Sequence, residues 1–252
     1  MGCGGRRISL VPGVDQARTA AGGYPRPGLF PMRLSVIIVA AGSSVRMGFD
    51  KLAAPLAGKP VLDHSLGLFA GFPDVEEIVV VCPPGRFGGL DIPDQGVPVR
   101  RADGGADRHH SVANGLAALA PDATHVAVHD GARPLLHAED FARCVEAAAA
   151  CGAAALARRV AETLKRTDDS GLCTGSVSRE NLWLMETPQV FAVPLLREAY
   201  AAVFARGLTV TDEVSAIQET GHPVRFVESL YPNPKITRPA DLALAEAILA
   251  RP

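Results

Sequence analysis

An excess of charge of either sign is lacking in this chain: 25 basic and 27 acidic residues leave a formal net charge of −2. Such a balance gives no global attraction to nucleic acid or an anionic membrane, so any site for a polyanion must be built locally. Long apolar runs are lacking as well. No stretch of 18 or more apolar residues occurs, and no membrane span is expected. The five cysteines (Cys3, Cys82, Cys144, Cys151 and Cys173) form no CxxC pair and no Cys/His metal spacing. Free thiols in a reducing cytoplasm are the economical expectation. No repeat with a period of 20–50 residues is visible, which argues against a solenoid.

What is present is an ordinary globular mixture, 48% hydrophobic and 21% charged over 252 residues, enough for a sizeable core in one large or two small domains. Residues 1–31 stand apart. They are rich in Gly, Pro and Arg, without hydrophobic periodicity or the apolar core of a secretory signal. Gly2 fits a myristoylation motif, but Arg6 stands where that motif wants Ser or Thr. The expectation is a disordered tail, or an upstream start-site artefact with Met32 as the true beginning.

From Leu34 onward short apolar runs alternate with helical spacing. Leu34–Ala40, Glu77–Cys82, His125–His129, Ala153–Leu156 and Val224–Glu228 read as buried strands. Pro60–Phe69, Ser111–Leu119, Glu139–Cys151, Pro194–Arg206, Asp212–Thr220 and Pro239–Ala250 read as helices. That rhythm predicts an α/β domain over residues 32–252, with three layers and a mostly parallel, Rossmann-like sheet. The stretch from about 161 to 189 breaks it. This segment is polar and turn-rich, holds the only tryptophan, Trp183, and reads as a projecting arm.

The first strand runs into AAGSSVRMGFDK. A P-loop is excluded, because five residues separate Gly42 from Gly48 and no Lys-Ser/Thr follows. A dinucleotide fingerprint is excluded too, since Ser44 and Val45 stand where glycines are needed. The remaining readings are a nucleotidyltransferase turn and an ordinary strand-to-helix turn with solvated cations. In the former, backbone N–H groups of Ala40, Ala41 and Gly42 face phosphates while Arg46 and Lys51 neutralise them.

The segments VAAGSSVRMGFDK, GGADRHHSVANGL, VHDGARP, ETPQVF, TDEVSA and NPKITRPADLALAEAIL occur in an order that resembles the 2-C-methyl-D-erythritol 4-phosphate cytidylyltransferases of the non-mevalonate isoprenoid pathway. The resemblance covers Met32 to Leu249. It implies CMP transfer from CTP to a sugar-alcohol phosphate with release of pyrophosphate, a divalent cation (Mg²⁺) on the triphosphate, and a cytoplasmic homodimer that exchanges arms. It also implies that Arg46, Lys51, Arg179 and Lys235 surround the reacting phosphorus, where fixed cations act most strongly. Gly104, Gly105 and Ser111 would join the turn after the first strand in holding the nucleotide. Asp130, Arg133, Thr163, Thr187 and Thr211 would form the acceptor pocket, with Asp130 also facing the metal. Thr163 and Arg179 would reach it from a second subunit.

Several residues read differently. His129 is expected to be a packed strand-end histidine, since the attacking phosphate needs no deprotonation at neutral pH. The pair His109–His110 tempts a metal assignment, but adjacent residues do not share a helix face and no further spaced ligands appear. Asp50 replaces the proline of the usual Pro-Lys-Gln motif, and Pro232 stands where an aspartate is common. Competing functions are the same chemistry on ribitol 5-phosphate, a sugar nucleotidyltransferase using GTP or UTP, and a non-catalytic nucleotide-binding protein.

Overall fold

The computed structural model describes residues 32–42 and 47–250. The tail expected over residues 1–31 and the cation expected at Arg46 lie outside the described residues. In chain order the strands are β1 (Leu34–Val39), β2 (Pro55–Leu56), β3 (Lys59–Pro60), β4 (Val75–Val81), β5 (Val99–Ala102), β6 (His125–Asp130), β7 (Ala153–Arg159), β8 (Leu164–Thr167), β9 (Cys173–Val177), β10 (Trp183–Ala192) and β11 (Arg225–Glu228). The helices are α1 (Val61–Ala70), α2 (Pro84–Phe87), α3 (Arg108–Ala117), α4 (Ala138–Cys151), α5 (Val193–Ala205), α6 (Glu213–Gln218) and α7 (Pro239–Leu249).

Seven strands form one sheet in the order β11-β7-β10-β6-β1-β4-β5. Only β10 runs antiparallel to its neighbours, β6 and β7. The expected mostly parallel sheet is therefore present. β1 shows why it is buried on both sides. Val36 and Ile38 pack on one face with Leu62, Leu66 and Phe69 of α1 and Phe141 of α4. Ile37 faces the other side, with Val112 of α3 and Leu196 of α5. Burying each such side chain contributes about 1.5–3 kcal/mol. Helices α1, α4 and α7 cover the first face, and α3, α5 and α6 the second. The result is three layers.

Two strands escape the sequence pattern. β5 carries Arg100 and Arg101 at the sheet edge, where charge is tolerated and hydrophobic alternation is weak. β10 takes up residues 183–189 of the stretch expected to project as an arm, so that expectation was too long. Its Pro188 argues against a central strand, because proline cannot donate to a ladder. Here the pairing with β7 shifts register between Met185 and Gln189, and the proline falls inside that irregularity. What projects is the β8–β9 hairpin, whose strands pair only with each other.

Parallel register fixes the site. Val39 lies opposite Val81 of β4 and Asp130 of β6, and Val81 opposite Ala102 of β5. Four strand ends thus open on one side, carrying the Ala40–Gly42 turn, Gly104–Gly105 and Asp130, the place where open α/β sheets receive ligands.

Candidate active site

A cleft of about 460 Å³ lies over these strand ends, lined by Val39–Gly42, Lys51, Leu52, Gly105–Arg108, Ser111, Asp130, Ala132 and Lys235. Close backbone packing shapes its floor. A Cβ at Gly104 would stand 2.6 Å from Cβ of Ala41, and one at Gly105 2.3 Å from Cβ of His110, so only glycine lets the two turns meet. Ser111 holds the second turn: its Oγ accepts from Gly105 N at 3.0 Å and donates to Asp107 O at 3.1 Å.

Asp130 is the centre of charge. Its Oδ1 accepts from Arg108 Nε at 3.1 Å and its Oδ2 from Lys235 Nζ at 2.8 Å, while Arg133 Nε lies 3.9 Å from Oδ2. Burial alone would raise the carboxyl pKa; Arg108, Lys235 and Arg133 outweigh it and hold it well below the usual range. Arg108 is fixed in turn by fully buried Glu213, which accepts from Nη1 at 2.7 Å and from Nη2 at 3.1 Å. Tyr200 completes the chain by donating to Glu213 Oε1 at 3.1 Å. Burial disfavours the Arg108 cation, but Glu213 and Asp130 more than compensate and raise its pKa.

A second network lies behind the first. Asp130 N donates to Thr187 Oγ1 at 3.1 Å, Thr187 Oγ1 contacts His129 Nδ1 at 3.2 Å, and His129 Nε2 contacts Arg133 O at 3.1 Å. A carbonyl can only accept, so Nε2 carries the proton and Nδ1 accepts the threonine hydroxyl hydrogen. His129 is accordingly a neutral, structural imidazole, with a pKa depressed by burial to about 4. The sequence expectation for it holds.

The other expected residues divide sharply. Ala40, Ala41, Gly42, Lys51, Gly105, Ser111, Asp130 and Lys235 line the cleft, and Gly104 packs against its floor. Lys51 also donates to Ile236 O at 2.7 Å, tying the first loop to the last. Arg133 lines a neighbouring groove of about 770 Å³ that shares Lys235 with the cleft. Its guanidinium donates to Asn233 O at 2.7 Å and Met185 O at 3.2 Å, while the buried Nε makes no hydrogen bond and faces Asp130 only at ion-pair distance. Thr187 is buried and lines neither space. Thr211 is exposed just before α6, and the helix is capped instead by Asp212, whose carboxylate accepts from Ser215 N. Thr163 and Arg179 are exposed beside the β8–β9 hairpin and line neither space.

Three functional residues went unnoticed in the sequence. Arg108 was hidden because α3 begins three residues before the expected Ser111. Glu213 looks like a first-turn acid favoured by the helix dipole. Arg86 donates to Ala40 O and pairs with Asp50 at 2.8 Å, so Asp50 anchors the loop that carries Lys51. An arginine within a Gly-Gly-x-x-Arg run and a Glu following an N-cap Asp were the available signals.

With three cations (Lys51, Arg108, Lys235) against two carboxylates (Asp107, Asp130) among the described residues, and a glycine turn, the cleft suits a phosphate chain. Residues 34–251 match the family model described as IspD, 2-C-methyl-D-erythritol 4-phosphate cytidylyltransferase. The chain belongs to that family. It is 41% identical over 221 residues to the 2-C-methyl-D-erythritol 4-phosphate cytidylyltransferase of Prochlorococcus marinus, covering 86% of this chain and 98% of the relative. The chloroplastic enzyme of Oryza sativa is 39% identical over 221 residues, covering 86% and 74%. The crystal structure of the Thermus thermophilus cytidylyltransferase superposes with a TM-score of 0.71 at 34% identity, covering 85% of this chain and 98% of that one. Family membership makes the chain a nucleotidyltransferase.

Proposed function

We propose that this chain transfers CMP from CTP to 2-C-methyl-D-erythritol 4-phosphate. A phosphate oxygen of the acceptor attacks the α-phosphorus, forming a new P–O bond as the bond to the β-phosphate oxygen breaks and pyrophosphate leaves. Negative charge builds on the pentacoordinate centre and on the leaving group. Catalysis therefore reduces to alignment and fixed positive charge. The observation that carries the reading is the convergence of Lys51, Arg108 and Lys235 on one cleft over the strand ends, with Lys235 and Arg108 each held by Asp130. The Ala40–Gly42 turn receives the phosphates, and Gly104, Gly105 and Ser111 offer uncharged groups that suit a pyrimidine edge. Lys235 joins the cleft to the groove lined by Arg133, which suits the acceptor's phosphate.

Asp130 is the residue that would hold Mg²⁺. Each of its oxygens accepts one hydrogen bond and keeps further acceptor capacity, and a magnesium ion on one carboxylate takes its remaining ligands from substrate phosphates and water. Bound there, the ion would neutralise phosphate charge. The arm would complete the acceptor site of a second copy in a homodimer, a reading supported by Thr163 and Arg179 being exposed and lining neither the cleft nor the neighbouring groove.

The test crosses CTP, UTP, GTP and ATP with 2-C-methyl-D-erythritol 4-phosphate and ribitol 5-phosphate, measuring pyrophosphate release. Turnover is expected for CTP with the methylerythritol acceptor. Faster turnover with ribitol 5-phosphate or another nucleotide, or tight CTP binding without turnover on either acceptor, overturns the proposal.

A further inference from the structure

The helix that presents Arg108 and Ser111 to the cleft has a second feature at its N-terminus. Asp107 occupies the N-cap position of α3, yet its carboxylate makes no capping hydrogen bond. It turns instead toward His110, with Oδ2 3.8 Å from Nδ1. That Nδ1 is buried and has no hydrogen-bond partner. His109, almost wholly buried, lies ring to ring with His110, centroids 4.2 Å apart, and Phe204 packs against both rings. Sequence spacing gave no reason to join these side chains, since adjacent residues diverge in a continuous helix. In the structure their rings nonetheless lie side by side, and one ligand atom from each of Asp107, His109 and His110 lies within 4.8 Å of the others.

We propose that Asp107, His109 and His110 form a binding site for a divalent transition metal, separate from the ion that accompanies the nucleotide. Two imidazoles and a carboxylate suit zinc and its neighbours better than magnesium, and three protein ligands leave a fourth position for water. Bonds of about 2.0–2.1 Å place tetrahedral ligand atoms roughly 3.4 Å apart, so the three ligand atoms, now within 4.8 Å of one another, draw together on binding, the exposed Asp107 carboxylate moving most easily. The orphaned Nδ1 gains the partner it lacks. Because Gly105 packs directly on His110, an ion here also pins the turn that lines the cleft.

The test uses the full chain stripped of metal and titrated with Co²⁺ in the absence of nucleotide, following the visible ligand-field band. One saturable Co²⁺ per chain is expected, displaced by Zn²⁺. His110→Ala and Asp107→Asn should each weaken it by about tenfold or more, since losing a ligand costs at least as much as losing an outer-shell partner. Zn²⁺ should raise the melting temperature of the parent chain and leave that of His110→Ala unchanged. No saturable band, or a band and thermal shift that persist in both variants, would overturn the assignment.

Discussion

The cleft and the hairpin both carry cations, and the family resemblance assigns Lys51 and Lys235 of the one and Arg179 beside the other to one reaction, but the structure holds the two sets in opposite ways. In the cleft, Arg108 is locked by Glu213 and Asp130, Lys235 by Asp130, and Lys51 by Ile236 O. On the hairpin, Lys165 donates to Ser176 and Arg179 to Ala161 O, and both side chains face solvent. A fixed charge stabilises a transition state without reorganising, whereas a solvated one must first be ordered by something else. The cleft can therefore be complete within one chain. Under the proposed arm exchange, a second copy would order the hairpin's cations.

The comparison breaks most forcefully at Glu213. Replacing it with Ala leaves the Arg108 guanidinium buried with one partner fewer and removes the acceptor of Tyr200. Losing one member of a buried ion pair typically costs about 3–5 kcal/mol, so urea unfolding should show a fall of that order. Glu213→Gln keeps the shape and one acceptor oxygen and should lose less. Equal stability in Glu213→Ala and the parent chain would mean that Arg108 is held by other means.

Lys51→Ala sharpens the same side of the contrast through rate. Removing one preorganised charge contact should lower kcat by about 100-fold or more while the circular dichroism spectrum stays unchanged. An unchanged kcat would remove Lys51 from the reacting centre.

The pH response isolates the buried layer beneath the cleft. His129 has a folded pKa of about 4 against an unfolded value near 6.5, so the unfolded chain binds the extra proton first as the solution is acidified. Its contribution is fully present above about pH 6.5 and falls by about 3 kcal/mol toward pH 4. Asp130, with its depressed pKa, loses its contribution only at lower pH and leaves this window untouched. Unfolding midpoints at pH 7 and pH 4.5 should lie further apart in the parent chain than in His129→Gln, and equal differences would refute the neutral-imidazole assignment. His125, also depressed by burial, titrates in both proteins and cancels in the comparison.

The sequence was legible where periodicity and turn chemistry agree. The strands of the parallel half and the Ala-Ala-Gly turn follow from apolar runs ending in small residues, whereas Lys51, Asp130 and Lys235 were singled out by the family resemblance. Arg108 and Glu213 were not legible, because their importance lies in a contact between residues 105 positions apart. No local pattern encodes that pairing. β10 failed for another reason: Glu186, Thr187 and Gln189 are buried polar residues satisfied by hydrogen bonds from distant elements, so a core strand reads as a polar loop. Thr187 illustrates both limits. Motif order finds it, but only the structure reveals that its hydroxyl is taken up by Asp130 N and His129.

The smallest effect on the folded chain should come from the hairpin, and it tests the comparison most directly. Arg179→Ala removes an exposed side chain, so stability should change by no more than about 0.5 kcal/mol. Its signature should instead be a higher KM for the alcohol phosphate with unchanged CTP binding by calorimetry. If the hairpin acts across a dimer, mixing Arg179→Ala with Lys51→Ala, at an acceptor concentration below the raised KM, should give more turnover than the two variants show separately. In the mixed dimer, the chain with intact Lys51 receives an arm with intact Arg179 and regains one working site, while the opposite site lacks both. If the hairpin served its own chain, each site in that mixture would lack one residue and no turnover would be gained.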